Sequence, residues 1–407
     1  MDKETMLNPE EALNRVVQSA NLLPPRTIAL RDACGLTLAE AIVAAADCPP
    51  FRRAMMDGYA VRVADAGRTL PVVGEIPAGS VWDGELAIGQ CVEIMTGAPC
   101  PAGTEAVVQK ERVRRRGNQA TLPVSIEPEQ NIAPPGSDCR AGQRILDPGA
   151  TVTPLAIAAM ASFGIAAVQV VPRPTLGIIT TGGELAAEGR PPRQGQIRNS
   201  NGPMLRAMAQ LQGIQDPRQL HAADCPELIL QALESMARLD IVLLTGGVSV
   251  GTYDMVPEAL IQYGAEPIFH GVKQKPGKPL LLARKNRQLI FGLPGNPLAC
   301  HLGFHRYVAA AIRKASGRAA MMPRSRGELA QAMRPKGGRT HFIPGRAEYA
   351  TGAPASWRVE VLPGVSSSDI FRGCRANCYI ELPPGEQTLE AGSTCFFTWF
   401  DGLPWGA

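Results

Sequence analysis

The pattern of hydrophobic and polar positions begins with one amphipathic helix and returns to helix only much later. Asn-Pro-Glu-Glu at 8–11 is typical of a helix start, with the asparagine as cap, the proline at the first helical position and the second glutamate closing the cap. An apolar face follows up to Ala20, and Pro24-Pro25 ends the pattern. A second cap and proline, Thr153-Pro154, predict a helix up to Phe163, stopped by Gly164. Together these stretches predict a discontinuous, helical N-terminal domain over residues 1–46 and 139–173.

Residues 47–138, between the two helical stretches, are short alternating runs such as Leu70–Val73 and Ala106–Gln109, punctuated by Gly and Pro. This pattern predicts a β-rich domain that interrupts the helical one. Residues 319–407 show the same pattern, for example over Trp357–Leu362, and predict a C-terminal β domain.

Residues 174–318 follow a different pattern, in which continuous apolar runs end in glycine loops and amphipathic segments lie between them. The runs are Leu176–Gly183, Ile241–Gly247 and Leu289–Gly295. Continuous apolar strands that alternate with helices indicate a parallel sheet covered on both faces. The predicted fold class is therefore multidomain α/β plus β, with a central parallel-sheet α/β domain, two β-rich domains and the discontinuous N-terminal domain.

Composition and charge exclude several classes of function. The 407 residues include 42 Gly and 36 Pro, which fits several turn-rich domains. A net charge of +4, from 41 basic and 37 acidic residues, is too balanced for a nucleic-acid binder. No apolar stretch reaches about 18 residues and the acidic N-terminus lacks a signal core, so we expect a cytoplasmic protein without membrane or nucleic-acid partners.

The ten cysteines show no Cys-x-x-Cys spacing. Disulfide frameworks belong to short secreted chains, so we expect mostly buried free thiols. Redox chemistry is therefore not expected.

The three glycine loops suggest an anion site. Loops after parallel strands meet at one edge of the sheet, and glycine lets the backbone N–H groups approach a phosphate. Glycine after a strand is also ordinary turn geometry, and no loop matches the Walker or dinucleotide fingerprints.

The segment 273–279, Lys-Gln-Lys-Pro-Gly-Lys-Pro, adds three ammonium groups between the second and third glycine loops. Its prolines and glycine stiffen it more than a solvated lysine run requires, which favours a phosphate-binding role. Glu184, Asp224 and Asp254 fall at the same edge, and lysines mixed with carboxylates suit a nucleotide or pyrophosphate with bound Mg²⁺. Asp224 fits equally well as a helix N-cap.

Five ordered motifs carry a family resemblance: Met-Asp-Gly-Tyr-Ala (56–60), Met-Thr-Gly-Ala (95–98), Thr-Gly-Gly-Val-Ser-Val-Gly (245–251), Lys-Pro-Gly-Lys-Pro (275–279) and Leu-Pro-Gly-Asn-Pro (293–297). Without the resemblance, the first two are a turn and a strand end. With their order and intervals, the chain resembles the molybdopterin molybdenumtransferase family, which is related to a gephyrin domain. The likeness spans almost the whole chain, including Asn199-Ser200-Asn201 and Arg375-Ala376-Asn377.

The resemblance implies an enzyme that inserts molybdate into adenylated molybdopterin and releases AMP, with Mg²⁺ as cofactor. It also implies a homodimer with the site between subunits. The implied catalytic residues are Asp57, Thr96, Asp138 and Glu184, and the implied metal ligands are Glu184 and Asp254. The implied cofactor-binding residues are Gly182, Asn199, Asp224, Gly246, Gly247, Ser249, Gly251, Lys275, Lys278, Pro294, Gly295, Asn296 and Pro297.

Four positions depart from the family pattern in the same electrostatic direction. Gly183 and Thr252 stand where an Asp and a Glu are common, Lys273 adds a positive charge, and Arg372 replaces a small polar residue. Because carboxylates are the main protein ligands of Mg²⁺, these changes predict weaker metal capture or a more anionic ligand. A diverged paralogue is the resulting hypothesis, either a transferase with altered metal handling or a pterin-binding relative.

Two other classes of function stay open, an adenylyltransferase and a non-catalytic cofactor-binding scaffold. His301 and His305 have a metal-compatible spacing, but no Glu follows His301, which favours a packing or surface role. The arginine run 112–116 before Gly117-Asn118 favours an exposed hairpin over a nucleic-acid patch.

Overall fold

The computed structural model describes residues 6–186, 189–248, 255–335, 337–350, 356–362 and 366–400. The chain groups into two compact units. The first comprises Met1–Ile28, Gly35–Ala39 and Gln169–Ala407, and the second comprises Ala29–Cys34 and Glu40–Val168. The four domain boundaries expected from the sequence stay a prediction. Within the described ranges, no helix has the length and apolar character needed to cross a bilayer.

Helices form the smaller part of the described secondary structure. In chain order they are α1 (Pro9–Ser19), α2 (Pro154–Ser162), α3 (Asn201–Leu211), α4 (Pro226–Ser235), α5 (Val256–Tyr263), α6 (Pro297–Gly303), α7 (Ala309–Ala315) and α8 (Ile370–Gly373). A π-helical turn, Phe304–Val308, joins α6 to α7.

The strands are more numerous and mostly short. In chain order they are β1 (Arg26–Ala29), β2 (Thr37–Leu38), β3 (Ile42–Val43), β4 (Arg53–Ala54), β5 (Gly58–Val61), β6 (Thr69–Ile76), β7 (Cys91–Ile94), β8 (Ala106–Gln109), β9 (Arg114–Arg116), β10 (Gln119–Thr121), β11 (Ile132–Ala133), β12 (Arg144–Leu146), β13 (Ala167–Val171), β14 (Leu176–Thr181), β15 (Arg218–Ala222), β16 (Ile241–Thr245), β17 (Glu266–His270), β18 (Gln274–Lys275), β19 (Leu281–Lys285), β20 (Gln288–Leu293), β21 (Ser325–Leu329), β22 (Thr340–Ala350), β23 (Ser356–Val361), β24 (Cys378–Leu382) and β25 (Thr394–Trp399).

A six-stranded sheet, in the order β15-β14-β16-β20-β19-β17, forms the centre of the first unit. The first four strands run parallel, and β19 and β17 are antiparallel to their neighbours. The expected α/β fold is confirmed, but the sheet is mixed rather than wholly parallel. The cause is the short turn from Lys285 to Gln288, where Asn286 has φ 55°, because such a hairpin joins only antiparallel strands.

Both faces of the central sheet are covered, as the continuous apolar runs predict. On β16, Leu243 packs in one buried cluster with residues of α1, α3 and α7. Val242 and Leu244 point to the opposite face and pack with residues of α4 and α5. Alternation along the strand therefore supplies two cores from one run of apolar residues.

Helix α1 begins with the predicted capping box. The Asn8 side chain accepts the Glu11 N–H at 2.9 Å, and the Glu11 carboxylate accepts the Asn8 N–H at 3.0 Å. The helix ends at Ser19, before the predicted Pro24-Pro25 stop, because Ala20 is extended. Glu10 on the same helix forms ion pairs with Arg306 at 2.5 Å and with Arg324.

A second sheet of the first unit, β18-β22-β23-β21-β25-β24, contains the C-terminal strands. Strand β22 also pairs with β24, which closes the sheet around a core that includes Val359, Ile380 and Phe397. The predicted C-terminal β domain corresponds to these strands.

In the same unit, the rings of His301 and His305 are stacked with their centroids 6.2 Å apart. Burial lowers the pKa of His301 to about 4 and that of His305 to about 3. Neutral, packed imidazoles confirm the packing interpretation.

The second unit is built around the sheet β8-β5-β7-β6-β10-β9, so the expected β-rich character is confirmed. Helix α2 has the predicted cap, with the Thr153 hydroxyl accepting the Ala156 N–H at 3.1 Å. Strands β9 and β10 form the predicted hairpin, and Arg115 binds Glu93 and the Tyr59 hydroxyl. This arginine run is therefore tied into the sheet.

All ten cysteines are free, but fewer are buried than the sequence suggested. Four are buried, four are partly buried, and Cys34 and Cys374 are exposed. The exposed pair lies in short turns, where a small side chain meets no packing requirement.

Candidate functional site

The three glycine loops converge after strands β14, β16 and β20. Gly246 has φ +99°, and a Cβ atom there would lie 2.7 Å from the Thr181 carbonyl oxygen and 2.8 Å from its hydroxyl. A Cβ at Gly295 would lie 3.7 Å from the Gly246 Cα. The second loop therefore touches both others, and only glycine permits the approach to Thr181.

Asn201, the first residue of α3, ties the second loop to the third. Its side-chain amide donates to the Thr245 hydroxyl at 3.0 Å and to the Gly295 carbonyl at 2.7 Å. Its Oδ1 atom is buried and has no hydrogen-bond partner among the described residues. Asn201 is absent from the site residues expected from the sequence, although the motif Asn199-Ser200-Asn201 contained the signal.

Both polar atoms of the Asn199 side chain form hydrogen bonds within the protein. Its amide donates to the Thr180 hydroxyl at 3.0 Å, and its oxygen accepts the Gly202 N–H at 2.9 Å. The side chain thus fastens the start of α3 to the end of β14, and a direct contact with a ligand stays a prediction.

Asp224 binds the first glycine loop. Its Oδ2 atom accepts the Gly183 N–H at 2.9 Å. Helix α4 begins at Pro226 with Cys225 as its cap residue and has no side-chain cap, so the N-cap interpretation of Asp224 is wrong. One N–H group of the first loop is therefore already hydrogen-bonded to a carboxylate of the protein.

Glu184 folds back over the same loop. Gly182 has φ +140°, and a Cβ atom there would lie 2.5 Å from Glu184 Oε2. Two carboxylates, those of Glu184 and Asp224, therefore flank Gly182 and Gly183. Within the described ranges, no group of three or more His, Cys, Asp or Glu side chains is placed so that it could hold a metal ion. The expected site residues Ser249, Gly251 and Asp254, together with Thr252, lie outside the described residues.

The lysine loop (273–279) is held in place by a buried glutamine. Gln274 accepts the Tyr307 hydroxyl at 2.5 Å and donates to the Gly277 carbonyl at 3.3 Å. A Cβ at Gly277 would lie 3.6 Å from the carbonyl oxygen of Ala299 in α6. Because α6 follows the third glycine loop directly, the lysine loop lies beside that loop.

Lys275 and Lys278 are both exposed, and neither forms an ion pair with a carboxylate in the part of the chain that the structure describes. Their ammonium groups are therefore available to an external anion. The glycine loops (182–183, 246–247 and 294–295) and the lysine loop form what we call the glycine edge.

The third loop is anchored to residues before α8. Asn296 donates from its side chain to the Ser367 hydroxyl at 3.0 Å, and Pro297 is the first residue of α6. Pro294 contributes its carbonyl, which accepts the Thr245 hydroxyl at 3.4 Å. Burial raises the pKa of the nearby Cys300 thiol to about 12, so this cysteine stays protonated and is no nucleophile.

In the second unit, Asp57 and Thr96 are in direct contact. Asp57 Oδ1 accepts the Thr96 N–H at 2.7 Å and the Thr96 hydroxyl at 2.5 Å. These two hydrogen bonds hold the pKa of Asp57 below its usual value. Asp57 is therefore a fixed carboxylate with Oδ2 left free of these bonds.

Asp138, also in the second unit, forms an ion pair with Arg53 at 3.1 Å. Arg53 lies on β4, and the next residue, Ala54, exchanges backbone hydrogen bonds with Gly97 and Ala98. The Asp57–Thr96 and Asp138–Arg53 pairs, named here the Asp57 motif, thus share one neighbourhood. Arg53 was missed at the sequence level, because its partner lies 85 residues away along the chain.

Three family models match the chain in order. They are the MoeA N-terminal region (domain I and II) over residues 7–164, a probable molybdopterin binding domain over 177–314 and the MoeA C-terminal region (domain IV) over 326–398. A molybdopterin molybdenumtransferase of Staphylococcus aureus (strain N315) is 33% identical over 97% of this chain and 96% of its own length. That of Staphylococcus epidermidis (strain ATCC 12228) is 32% identical over 97% and 95%.

A crystal structure of the molybdopterin biosynthesis moeA protein from Pyrococcus horikoshii OT3 matches with a TM-score of 0.79 and 28% identity, covering 97% of this chain and 100% of that one. A crystal structure of a molybdopterin biosynthesis moea protein from Pyrococcus horikosii gives a TM-score of 0.80 at 26% identity, covering 98% of this chain and 100% of that one. The resemblance inferred from the five motifs is confirmed along the whole chain. The chain belongs to the molybdopterin molybdenumtransferase family, whose members are transferases of molybdenum cofactor biosynthesis.

Proposed function

We propose that the protein inserts molybdate into adenylated molybdopterin and releases AMP. The observation that carries the proposal is the glycine edge, where three converging loops lie beside two lysines that pair with no carboxylate of the described residues. Such an edge suits a ligand with several negative charges, because it combines a close backbone approach with uncompensated ammonium groups. The identity of the ligand, an adenylated pterin that receives the metal, is inferred from family membership.

We expect Lys275 and Lys278 to neutralise most of the negative charge of the adenylate. The Gly183 N–H is already bound to Asp224, and the Gly246 N–H donates to the Leu293 carbonyl. Fewer backbone donors remain for a phosphate than three glycine loops suggest. The ammonium groups therefore stabilise the negative charge that develops as the phosphoanhydride is cleaved, and the loops fix its position.

Mg²⁺ fits the first loop as a cofactor. It prefers hard oxygen ligands and takes one or two protein carboxylates together with substrate phosphate oxygens. Glu184 offers a carboxylate over Gly182, and Asp224 has one oxygen beyond the bond to Gly183. When bound, the ion would neutralise charge on the phosphate oxygens. Asp254 remains a proposed third ligand.

Asp57 and Asp138 are proposed to serve the reaction as ionised, positioned carboxylates. The lowered pKa of Asp57 makes it a poor proton carrier near neutral pH, so its role is electrostatic or orienting. The homodimer, molybdate as the metal source and a cytoplasmic location belong to the same proposal.

The direct test supplies purified protein with adenylated molybdopterin, molybdate and Mg²⁺. The expected products are AMP and a cofactor that activates an apo-molybdoenzyme. Supplying ATP and molybdopterin instead tests for an adenylyltransferase, and no adenylated pterin is expected. Adenylated pterin in the second assay without AMP in the first would replace the transferase proposal. Binding of adenylated molybdopterin with no product in either assay would identify a scaffold.

A further inference from the structure

A cavity of about 600 Å³ lies in the first unit at the amino ends of the central strands. Its wall includes Thr175 before β14, Asp240 before β16 and Arg287 before β20. Each of these strands has five or six residues, so at a rise of roughly 3.3 Å per residue the cavity is about 15–20 Å from the glycine edge. It is therefore a separate place in the same sheet.

Three arginines, Arg26, Arg173 and Arg287, line this cavity. None of them forms an ion pair with a carboxylate in the described ranges. The one acidic residue in the wall, Asp240, binds the N–H and the hydroxyl of Thr175 through Oδ2, at 2.8 and 2.7 Å. With three guanidinium groups and one carboxylate, the wall carries a net positive charge among the described residues. We call it the basal arginine cavity.

Arg173 is the least satisfied of the three. Its Nη2 atom donates to the Gly35 carbonyl, and its Nη1 atom is buried without a hydrogen-bond acceptor among the described residues. A Cβ at Gly213 would lie 2.8 Å from its Nε atom, so this glycine leaves room for the guanidinium. Burial and the charge of Arg318 lower the pKa of Arg173 to about 10. An anion beside this group would relieve both penalties.

Arg306, in the same unit, shows how this chain otherwise treats a buried cation. Its side chain is 8% exposed and faces two carboxylates, Glu10 at 2.5 Å and Glu381 at 4.0 Å. Burying a charge without a partner is costly, so arginines at such depth are normally paired. Because no described carboxylate pairs with Arg173, we infer that its counter-ion comes from outside the chain.

We propose that the basal arginine cavity binds a small organic phosphate. Guanidinium groups grip phosphate oxygens in pairs, and three of them suit a dianion better than a monoanion. The remaining wall is largely apolar, with Leu22, Leu23 and Pro172, and accommodates the uncharged body of the ligand. A volume of about 600 Å³ lies within the usual range of small-molecule sites. This inference is independent of the proposed transferase reaction.

The test uses phenyl phosphate as the probe and isothermal titration calorimetry as the readout, on the full chain. Arg26→Gln combined with Arg287→Gln removes two exposed charges and is expected to weaken binding at least tenfold. Arg284→Gln, an exposed arginine on β19 outside the cavity, is the matched control and should bind as the unaltered protein does. Arg173→Gln should abolish binding at the basal arginine cavity, with circular dichroism to confirm folding.

A second set of titrations separates the two ends of the sheet. Lys275→Ala with Lys278→Ala should leave one phenyl phosphate site intact, because those lysines belong to the glycine edge. Phenol should not bind, and inorganic phosphate should bind more weakly than phenyl phosphate. The proposal is overturned if the Arg26/Arg287 double variant titrates like the unaltered protein. It is also overturned if the lysine double variant loses all binding, or if inorganic phosphate binds as tightly as phenyl phosphate. If Arg173→Gln fails to fold, the double variant decides the question.

Discussion

The glycine edge of the first unit and the Asp57 motif of the second unit treat charge in opposite ways. At the glycine edge, close contacts fix the loops, while the ammonium groups of Lys275 and Lys278 pair with no carboxylate in the described part of the chain. In the Asp57 motif, the carboxylates themselves are held, Asp57 by Thr96 and Asp138 by Arg53. A free charge is available to bind a ligand, whereas a held charge is fixed in position and protonation. Substitutions should therefore affect binding in one region and titration in the other.

The largest effect is expected from a substitution that prevents the close backbone approach between two loops of the glycine edge. Gly246→Ala would place a methyl group 2.7 Å from the Thr181 carbonyl oxygen at φ +99°. We expect a loss of about 2–4 kcal/mol in the free energy of unfolding and at least a hundredfold loss of AMP release. Urea denaturation and the AMP assay measure the two effects.

Gly183→Ala is the matched control. A Cβ there meets only Asp224, at 4.0 Å, so stability should stay within about 0.5 kcal/mol of the unaltered protein. Equal losses for both alanine variants would contradict the claim that the close approach at Gly246 matters.

The second prediction concerns the free charges. Lys275→Ala with Lys278→Ala should lower AMP release at least a hundredfold, because the loss of two charged hydrogen bonds at roughly 1.5–3 kcal/mol each totals about 3 kcal/mol or more. The midpoint of urea denaturation should not move, because neither lysine pairs with a described carboxylate. Lys314→Ala, which removes another exposed lysine of the first unit, serves as control. A stability loss in the double variant with normal substrate affinity would show that these lysines are structural.

The third prediction restores a carboxylate to the glycine edge. Gly183→Asp fits sterically and adds an anion near Asp224, so the Mg²⁺ concentration at half-maximal AMP release should fall severalfold. Gly183→Asn has nearly the same size without the charge and should leave that concentration unchanged. No difference between the two variants would count against this position as the cause of altered metal handling.

The smallest effect is expected in the Asp57 motif. Thr96→Val removes the hydroxyl that donates to Asp57, so the pKa of Asp57 should rise toward its ordinary value. The lowered pKa stabilises the fold above the unfolded-state value of about 3.9, and this contribution is lost as the pH falls through the folded-state pKa. The acid side of the stability profile should thus move to higher pH in the variant.

Carbon-13 NMR of the Asp57 carboxyl group measures that shift directly. Thr121→Val, on an exposed strand end of the same unit, is the control and should leave the Asp57 titration unchanged. An unchanged pKa in Thr96→Val would mean that the backbone N–H alone holds the carboxylate.

Local patterns predicted the features that depend on neighbouring residues. The cap of α1 and the cap of α2 formed as expected because each requires only a side chain and an N–H three residues on. The glycine loops followed their strands for the same reason, since a buried apolar run needs a tight exit. The five motifs then identified the family.

Contacts between residues that are far apart in the chain could not be predicted from the sequence. Asp224 was compatible with a cap, and its actual donor, the Gly183 N–H, is 41 residues away. The antiparallel pairing of β19 with β20 and β17 was hidden because a buried strand gives a continuous apolar run in either direction. Asn201 likewise shows its function only when Thr245 and Gly295 are brought to it.

The ion pairs of Glu10 have a consequence for how the chain is made. Glu10 lies on helix α1, and its basic partners, Arg306 and Arg324, follow 296 and 314 residues later in the chain. At a synthesis rate of roughly 5–20 residues per second, that interval is about 15–60 s. During this time the apolar side of α1 has no tertiary neighbour from α7, against which it packs in the finished unit. Helix α1 is thus translated long before the residues that hold it in place, and until then its exposed apolar side is a segment that we expect chaperones to cover.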